Sequence, residues 1–131
     1  MIIFDTTIWI DALNGKKTNA VGLLIEKILA NEVALLPVII QEILQGIKDD
    51  PQFEKVKENL SGFVVLESDP IESAIGAAVI NRNLRKKGLT IRKPNDCLIA
   101  FYAVKFNLKL VHNDSDFELI ASNTDLKEIK I

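Results

Sequence analysis

Asp5, Glu42, Asp96 and Asp114 stand far apart in the chain, with Asp116 two residues beyond the last. Each falls where an apolar strand ends or where an apolar helix begins. A carboxylate at the rim of a core is costly unless something balances its charge. Several converging carboxylates repel one another and raise one another's pKa values. A divalent cation removes that cost, and Mg²⁺ or Mn²⁺ takes oxygen ligands. Each acid also has a plainer reading. Asp5 fits an N-cap for a short helix over 7–13, and Asp96 fits a cap before Cys97-Leu98-Ile99-Ala100. Glu42 fits a solvated helix face, although Ile40 and Ile43 flank it. Asp114 and Asp116 compete: one binds metal while the other caps a short helix, or both contribute. Asp114 is the favoured ligand and Asp116 the second candidate.

The elements that must position these residues alternate. Met1 to Phe4 reads as a first strand, and a helix near 18–30 follows from the spacing of Ala20, Leu23, Leu24, Lys27 and Ile28. Val33 to Leu36 is a second strand. Pro37 suits the first turn of a helix. On that helix Ile39, Ile43 and Ile47 share a face and Gly46 allows close packing. Asp49-Asp50-Pro51 stops it and opens another from about 52 to 60. Phe63 to Leu66 is a third strand. Asp69-Pro70 starts a helix to about Lys87, ended by Gly88, with a thin surface of Ala74, Gly76, Ala77 and Ala78. A helix from Asn95-Asp96 to about Phe106, a strand over 108–111 and a short helix from Asp114 or Ser115 through Ile120 come next. Leu126 to Ile131 reads as a last edge strand, blunted by Lys127, Glu128 and Lys130. This alternation predicts an α/β domain with a mostly parallel sheet covered on both faces.

Ligands of such sheets bind outside the carboxyl ends of the strands. Asp5 ends the first strand and Asp114 follows the fourth. Glu42 lies early in the helix after the second strand. Helix N-termini at that edge favour anions.

With 131 residues, 48% of them hydrophobic, the chain fits one domain over 1–131 with one core. Sixteen Lys and Arg against 18 Asp and Glu give a formal charge of -2, which leaves a nucleic-acid ligand open because a local basic patch decides that. A single cysteine, Cys97, excludes an intramolecular disulfide and a thiolate-rich zinc site, and suits a reducing cytoplasm. Asp5 interrupts the N-terminal apolar run too early for a signal peptide, and no uncharged run approaches the ~20 residues of a membrane span. One Trp and one Tyr argue against an aromatic platform for single strands. Cys97 has no histidine beside it in sequence and reads as packing; His112, the only histidine, reads as packing or local hydrogen bonding. Arg82, Arg85, Lys86, Lys87, Arg92 and Lys93 run with no acid between Ser73 and Asn95, directly before Asp96. They are candidate contacts for a nucleic-acid backbone or a solubilising helix end.

Four stretches carry a family likeness. IIFDTTIWID offers a strand, an Asp and a hydroxyl residue; IIQEILQG a Glu followed four residues later by Gly; LRKKGLTI a Leu-Arg-x-x-Gly-x-Thr-Ile segment; and RKPNDCLIAFYAVKFNLKLVHNDSDFELI an Asp-x-x-Ile-Ala helix, a strand and an acidic turn ending Asp-Phe. In this order, from Met1 to about Ile120, the chain resembles PIN-domain ribonucleases, specifically the VapC-type toxins of toxin–antitoxin pairs. The resemblance implies a three-layer α/β/α domain with four to five strands. It implies Asp5, Glu42, Asp96 and Asp114 at the acidic, catalytic metal-site positions, and Asp116 at a position also often acidic. Thr6 would hold a water or orient Asp5. The family often has Thr where this chain has His112, so the hydroxyl's part falls to His112, to Ser115 or to water. Asn113 is either a hydrogen-bonding neighbour of the site or a turn residue.

The activity so implied is Mg²⁺- or Mn²⁺-dependent hydrolysis of RNA phosphodiesters with one or two ions, growth-inhibiting, in a cytoplasmic toxin. The implied partners are RNA, a small VapB-type antitoxin crossing an apolar groove, and a second copy in a symmetric homodimer. Ile39, Ile40, Ile43, Leu44 and Ile47, with Phe53, Val56 and Leu60, are either that groove or core. The alternatives are a PIN nuclease of RNA processing without an antitoxin, or a non-catalytic RNA- or protein-binding module of the same fold. A phosphatase-like hydrolase is disfavoured because Thr7, not Asp, stands two residues after Asp5.

Overall fold

A computed structural model describes residues 1–131. Five short strands form the sheet: β1 (Ile2–Phe4), β2 (Val33–Leu35), β3 (Val64–Val65), β4 (Lys109–His112) and β5 (Glu128–Lys130). Seven helices alternate with them: α1 (Thr6–Leu13), α2 (Asn19–Leu29), α3 (Pro37–Gln45), α4 (Asp50–Leu60), α5 (Pro70–Lys86), α6 (Pro94–Lys105) and α7 (Ser115–Asn123). Every strand pairing is parallel, which exceeds the mostly parallel sheet read from the alternation. Helices cover both faces, as parallel strands require, and Ile3, Phe4, Leu35, Leu110 and Val111 have no exposure.

The strand order is β3-β2-β1-β4-β5. The chain lays β2 and β3 on one side of β1, then crosses to lay β4 and β5 on the other. Beyond the carboxyl ends of β1 and β4 the order reverses, and such a point opens a crevice. The Asp5 amide donates to the Val111 carbonyl at 2.9 Å, extending the β1–β4 ladder to the crevice rim. α6 joins β4 through only Phe106 to Leu108, so it runs back along the sheet and its N-terminus returns to the same rim.

Local chemistry sets the helix bounds. Thr18, Asp49 and Asp69 accept from Val21, Gln52 and Glu72 amides, and Pro37, Pro70 and Pro94 occupy first helical positions. Two expectations fail. α3 stops at Gln45, so Ile47 lies past it; Gly46 closes the helix and meets only carbonyls of α3 itself, with no close neighbour. α7 continues past Ile120 to Asn123, where the Asn123 and Thr124 side chains donate to the Leu119 and Ile120 carbonyls.

The close approach lies at Gly76 on α5. A Cβ there would stand 2.1 Å from Cε1 of Phe101 on α6. Of its neighbours, Ala77 is half-buried while Ala74 and Ala78 are exposed. Gly76→Ala should therefore destabilise the protein despite the better helix propensity of alanine, by about 1–3 kcal/mol for overpacking. Guanidinium unfolding should show a lower midpoint with an unchanged slope. A raised midpoint would mean that α5 and α6 separate freely.

Candidate metal centre

Asp5 follows β1 and caps α1. Its Oδ1 accepts from the Thr6 amide and its Oδ2 from the Thr7 hydroxyl, both at 2.8 Å. Asp5 is thus the cap of α1, which does not conflict with the ligand reading. The Thr6 hydroxyl points elsewhere, donating to Oε1 of Glu42 at 2.8 Å. Thr6 therefore orients Glu42 through its side chain and Asp5 only through its backbone. Thr7, which in the sequence served to disfavour a phosphatase-like hydrolase, is the hydroxyl that holds Asp5.

Asp96 lies in the first turn of α6, 4% exposed. It is not the cap of that helix; Lys93 holds the N-cap position without a side-chain bond. Oδ2 of Asp96 is buried and receives no hydrogen bond. Asp114 caps α7, accepting from the Asp116 amide at 2.9 Å. Carboxylate oxygens of Asp96, Asp114 and Asp116 lie within 4.8 Å of one another, so the last two both belong to the cluster. Asp5, Glu42, Asp96 and Asp114 line one cleft of about 190 Å³ together with Thr6, Thr7, Ile10, Gln45 and Lys93.

The electrostatics follow from this crowding. Burial pushes the Asp5 carboxyl up; the bonds from Thr7 and Thr6 oppose that, while Glu42 and Asp114 add to it. Burial, then the charges of Asp5 and Asp114, push Asp96 up to about 7, with Lys93 pulling the other way and Glu42 adding a smaller rise. A buried carboxylate oxygen without a donor, among other oxygens only, fits a hard divalent cation.

The supporting residues divide. Ser115 opens α7 and is exposed, and Asn113 is an exposed turn residue. His112 is wholly buried: its Nδ1 accepts from the Asp114 amide at 3.1 Å, and its Nε2 bonds the Glu128 carboxylate from β5. Of the basic run, Arg82, Arg85 and Lys86 form an exposed group on α5, and Lys87 donates to Asn123. Lys93 lines the acidic cleft. Arg92 turns onto the acids instead of joining the rim, its Nη2 3.2 Å from Asp114 and its Nε 3.1 Å from Asp116. Cys97 is buried, which raises its thiol pKa, and its nearest polar partner is Asn81.

Of the apolar residues that were either groove or core, Ile39, Ile43, Val56 and Leu60 are buried in the core, and Ile40, Leu44, Ile47 and Phe53 are half-buried. The exposed large apolar residues are elsewhere, including Leu13, Ile25, Leu29, Ile71, Ile75 and Val79.

Comparison with known proteins adds four findings. The family model described as PIN domain matches residues 2–123. "VapC ribonuclease Mb1587" of Mycobacterium bovis is 33% identical over 130 residues, spanning 97% of this chain and 96% of that protein. "Ribonuclease VapC11" of Mycobacterium tuberculosis has the same identity and spans. Among solved structures, VapBC2 from Rickettsia felis bound to a promoter DNA fragment matches with a TM-score of 0.76 at 23% identity, covering 99% of this chain and 98% of that one. That likeness speaks to the fold.

The raised Asp96 pKa has a consequence for the metal-free protein. Between about pH 4 and 7 the unfolded chain releases this proton while the folded chain keeps it, so stability falls as pH rises through that window. At about 1.4 kcal/mol per unit, the upper bound on the loss is of order 4 kcal/mol. Asp96→Asn should make the decline shallower in EDTA, measured by guanidinium unfolding at pH 5 and pH 8. An identical decline in both proteins would show that Asp96 is not the strained carboxyl.

Proposed function

The chain belongs to the PIN-domain family, in its VapC branch, and we propose that it is a metal-dependent endoribonuclease acting as the toxin of a toxin–antitoxin pair. The observation that carries this reading is the convergence of four carboxylates on one cleft at the sheet's switch point, one of them buried without a donor. Asp5, Asp96, Asp114 and Asp116, with Glu42 beside them, are the residues to hold Mg²⁺ or Mn²⁺. One or two such ions would neutralise a phosphate's charge and acidify a water beside it.

The chain's own residues supply the rest. Thr7 and the Thr6 amide hold Asp5 in one rotamer, and the Thr6 hydroxyl does the same for Glu42. Fixed carboxylates need no reorganisation when charge develops. Lys93 at the cleft and the exposed Arg82, Arg85 and Lys86 attract the anionic backbone. Hydrolysis adds water oxygen to phosphorus, breaks one P–O bond and delivers a proton to the departing oxygen.

Two protein partners belong to the same reading. A groove lined by Ile10, Leu13, Ile43 and Ile47, with Asn14, Lys48 and Gln52 among them, adjoins the acidic cleft, since Ile10 lines both. It suits an apolar segment of a small VapB-type antitoxin entering from that side. Ile71, Ile75 and Val79 recur four apart along α5 and stand exposed, which suits a homodimer. The site of action is then the cytoplasm.

Purified protein should cut total RNA in Mg²⁺ or Mn²⁺ and stop in EDTA. Asp5→Asn and Asp96→Asn should each lower the rate at least about 100-fold, the scale of losing preorganised electrostatic stabilisation. Undiminished cutting by both variants would overturn the site. Ile75→Glu should shift the protein from dimer to monomer by light scattering while leaving its far-ultraviolet circular dichroism unchanged; a dimer that survives the change uses another face.

A further inference from the structure

Arg92 lies in the connection between α5 and α6, next to Ile91, which is buried and anchors that connection. Its side chain is 68% exposed, yet it reaches across the cluster of Asp96, Asp114 and Asp116. The guanidinium donates from Nη2 to Oδ1 of Asp114 at 3.2 Å and from Nε to Oδ2 of Asp116 at 3.1 Å. The Arg92 amide donates to the same Asp116 oxygen at 3.3 Å. One planar fork thus bridges two carboxylates from outside, as guanidinium geometry allows. The lone pairs it occupies are ones a divalent ion would need. Asp96, deeper and without a donor on Oδ2, is left out of the fork.

We propose that Arg92 is a tethered counter-ion of the metal centre, bridging Asp114 and Asp116 in the metal-free protein and leaving them when a divalent ion binds. This rests on the metal reading of the site given above. A single positive charge answers only part of the repulsion among three carboxylates, so a divalent ion displaces it. Because the pair is exposed, its attraction is modest and screened by solvent. The displaced side chain then swings to the mouth of the cleft beside Lys93, where an anionic backbone would pass. Arg92 therefore serves two states: it keeps Asp114 and Asp116 oriented before the ion arrives, and it adds a positive charge to the rim afterwards.

The chain has only three arginines, Arg82, Arg85 and Arg92, so their Nε–H resonances are separable by NMR. Titration of metal-free protein with Mg²⁺ alone should move the Arg92 Nε–H towards the position of a free, exchanging guanidinium and leave Arg82 and Arg85 in place. By calorimetry with Mn²⁺, Arg92→Ala should bind roughly two- to fivefold more tightly than the native chain, the scale of one exposed ion pair. Arg92→Lys, which keeps the charge but loses the fork, should fall between them. Metal uptake with an unmoved Arg92 resonance, or with equal or weaker affinity in Arg92→Ala, would overturn the counter-ion and leave the metal reading standing. No uptake of either ion by any of the three proteins would overturn both.

Discussion

Negative charge confined at the carboxyl edge of β1 and β4 is the constraint from which the rest of this molecule follows. Phe4 and Val111 pair across the β1–β4 ladder and are fully buried, and their strands deliver Asp5 and the Asp114 turn to adjoining places. α6 adds Asp96 at the same rim. The chain answers this concentration unevenly. Asp5 receives two donors, Asp114 a backbone amide and a guanidinium, and Asp116 two donors from Arg92. Asp96 Oδ2 receives none. Asp5 and Asp96 are both nearly buried, yet only Asp5 has both oxygens supplied with donors, so Oδ2 of Asp96 is the oxygen that most needs a cation. An ion drawn past the rim to Asp96 would meet a low dielectric, where its attraction is strong.

Depth is purchased by the helical layer. α5 lies close on α6 because Gly76 has no Cβ to meet Phe101. That contact holds the two helices together at Phe101, while Cys97, Ile99, Ala100 and Ala103 of α6 are buried. Asp96 shares a turn with these residues and inherits their burial. Site and core therefore oppose each other: the packing that stabilises α6 is what removes water from a carboxylate at its start. A site strained in this manner is where sequence-level expectation and local stability should part company.

Much of this was legible in the chain because it follows from local chemistry. Asp5 and Asp114 end apolar runs, and an acid after a buried parallel strand has few places to go. Pro37, Pro70, Asp49 and Asp69 mark helix starts by their own conformational limits. Contacts made across the fold were hidden. Nothing in IIFDTTIWID says that Thr6 serves Glu42 while Thr7 serves Asp5, because that division depends on where α3 lies. Arg92 read as one more member of a basic run, since a run shows charge and not direction. Gly46 and Gly76 look alike in sequence; only the second has a ring against it. The apolar excess of α3 and α4 likewise resolved into core and half-buried positions once the sheet beneath them was known.

The departure at His112 shows how such hidden contacts carry the site. A threonine there would offer one short hydroxyl; the imidazole offers two nitrogens on opposite sides of a ring. Because Nδ1 accepts from the Asp114 amide, the proton resides on Nε2, which bonds Glu128. The ring is wholly buried and also packs beside Phe117, with centroids 5.3 Å apart. The turn that presents Asp114 is thereby tied to β5, the edge strand, through a side chain with no freedom to rotate. β5 in turn is held by its ladder with β4 and by the ion pair of Lys130 with Glu118 on α7. Asp114 and Asp116 sit together where β4 passes into α7, at one corner of this closed loop of β4, α7 and β5. An edge strand that touches no part of the acidic cleft thus helps to set the spacing of two of its carboxylates.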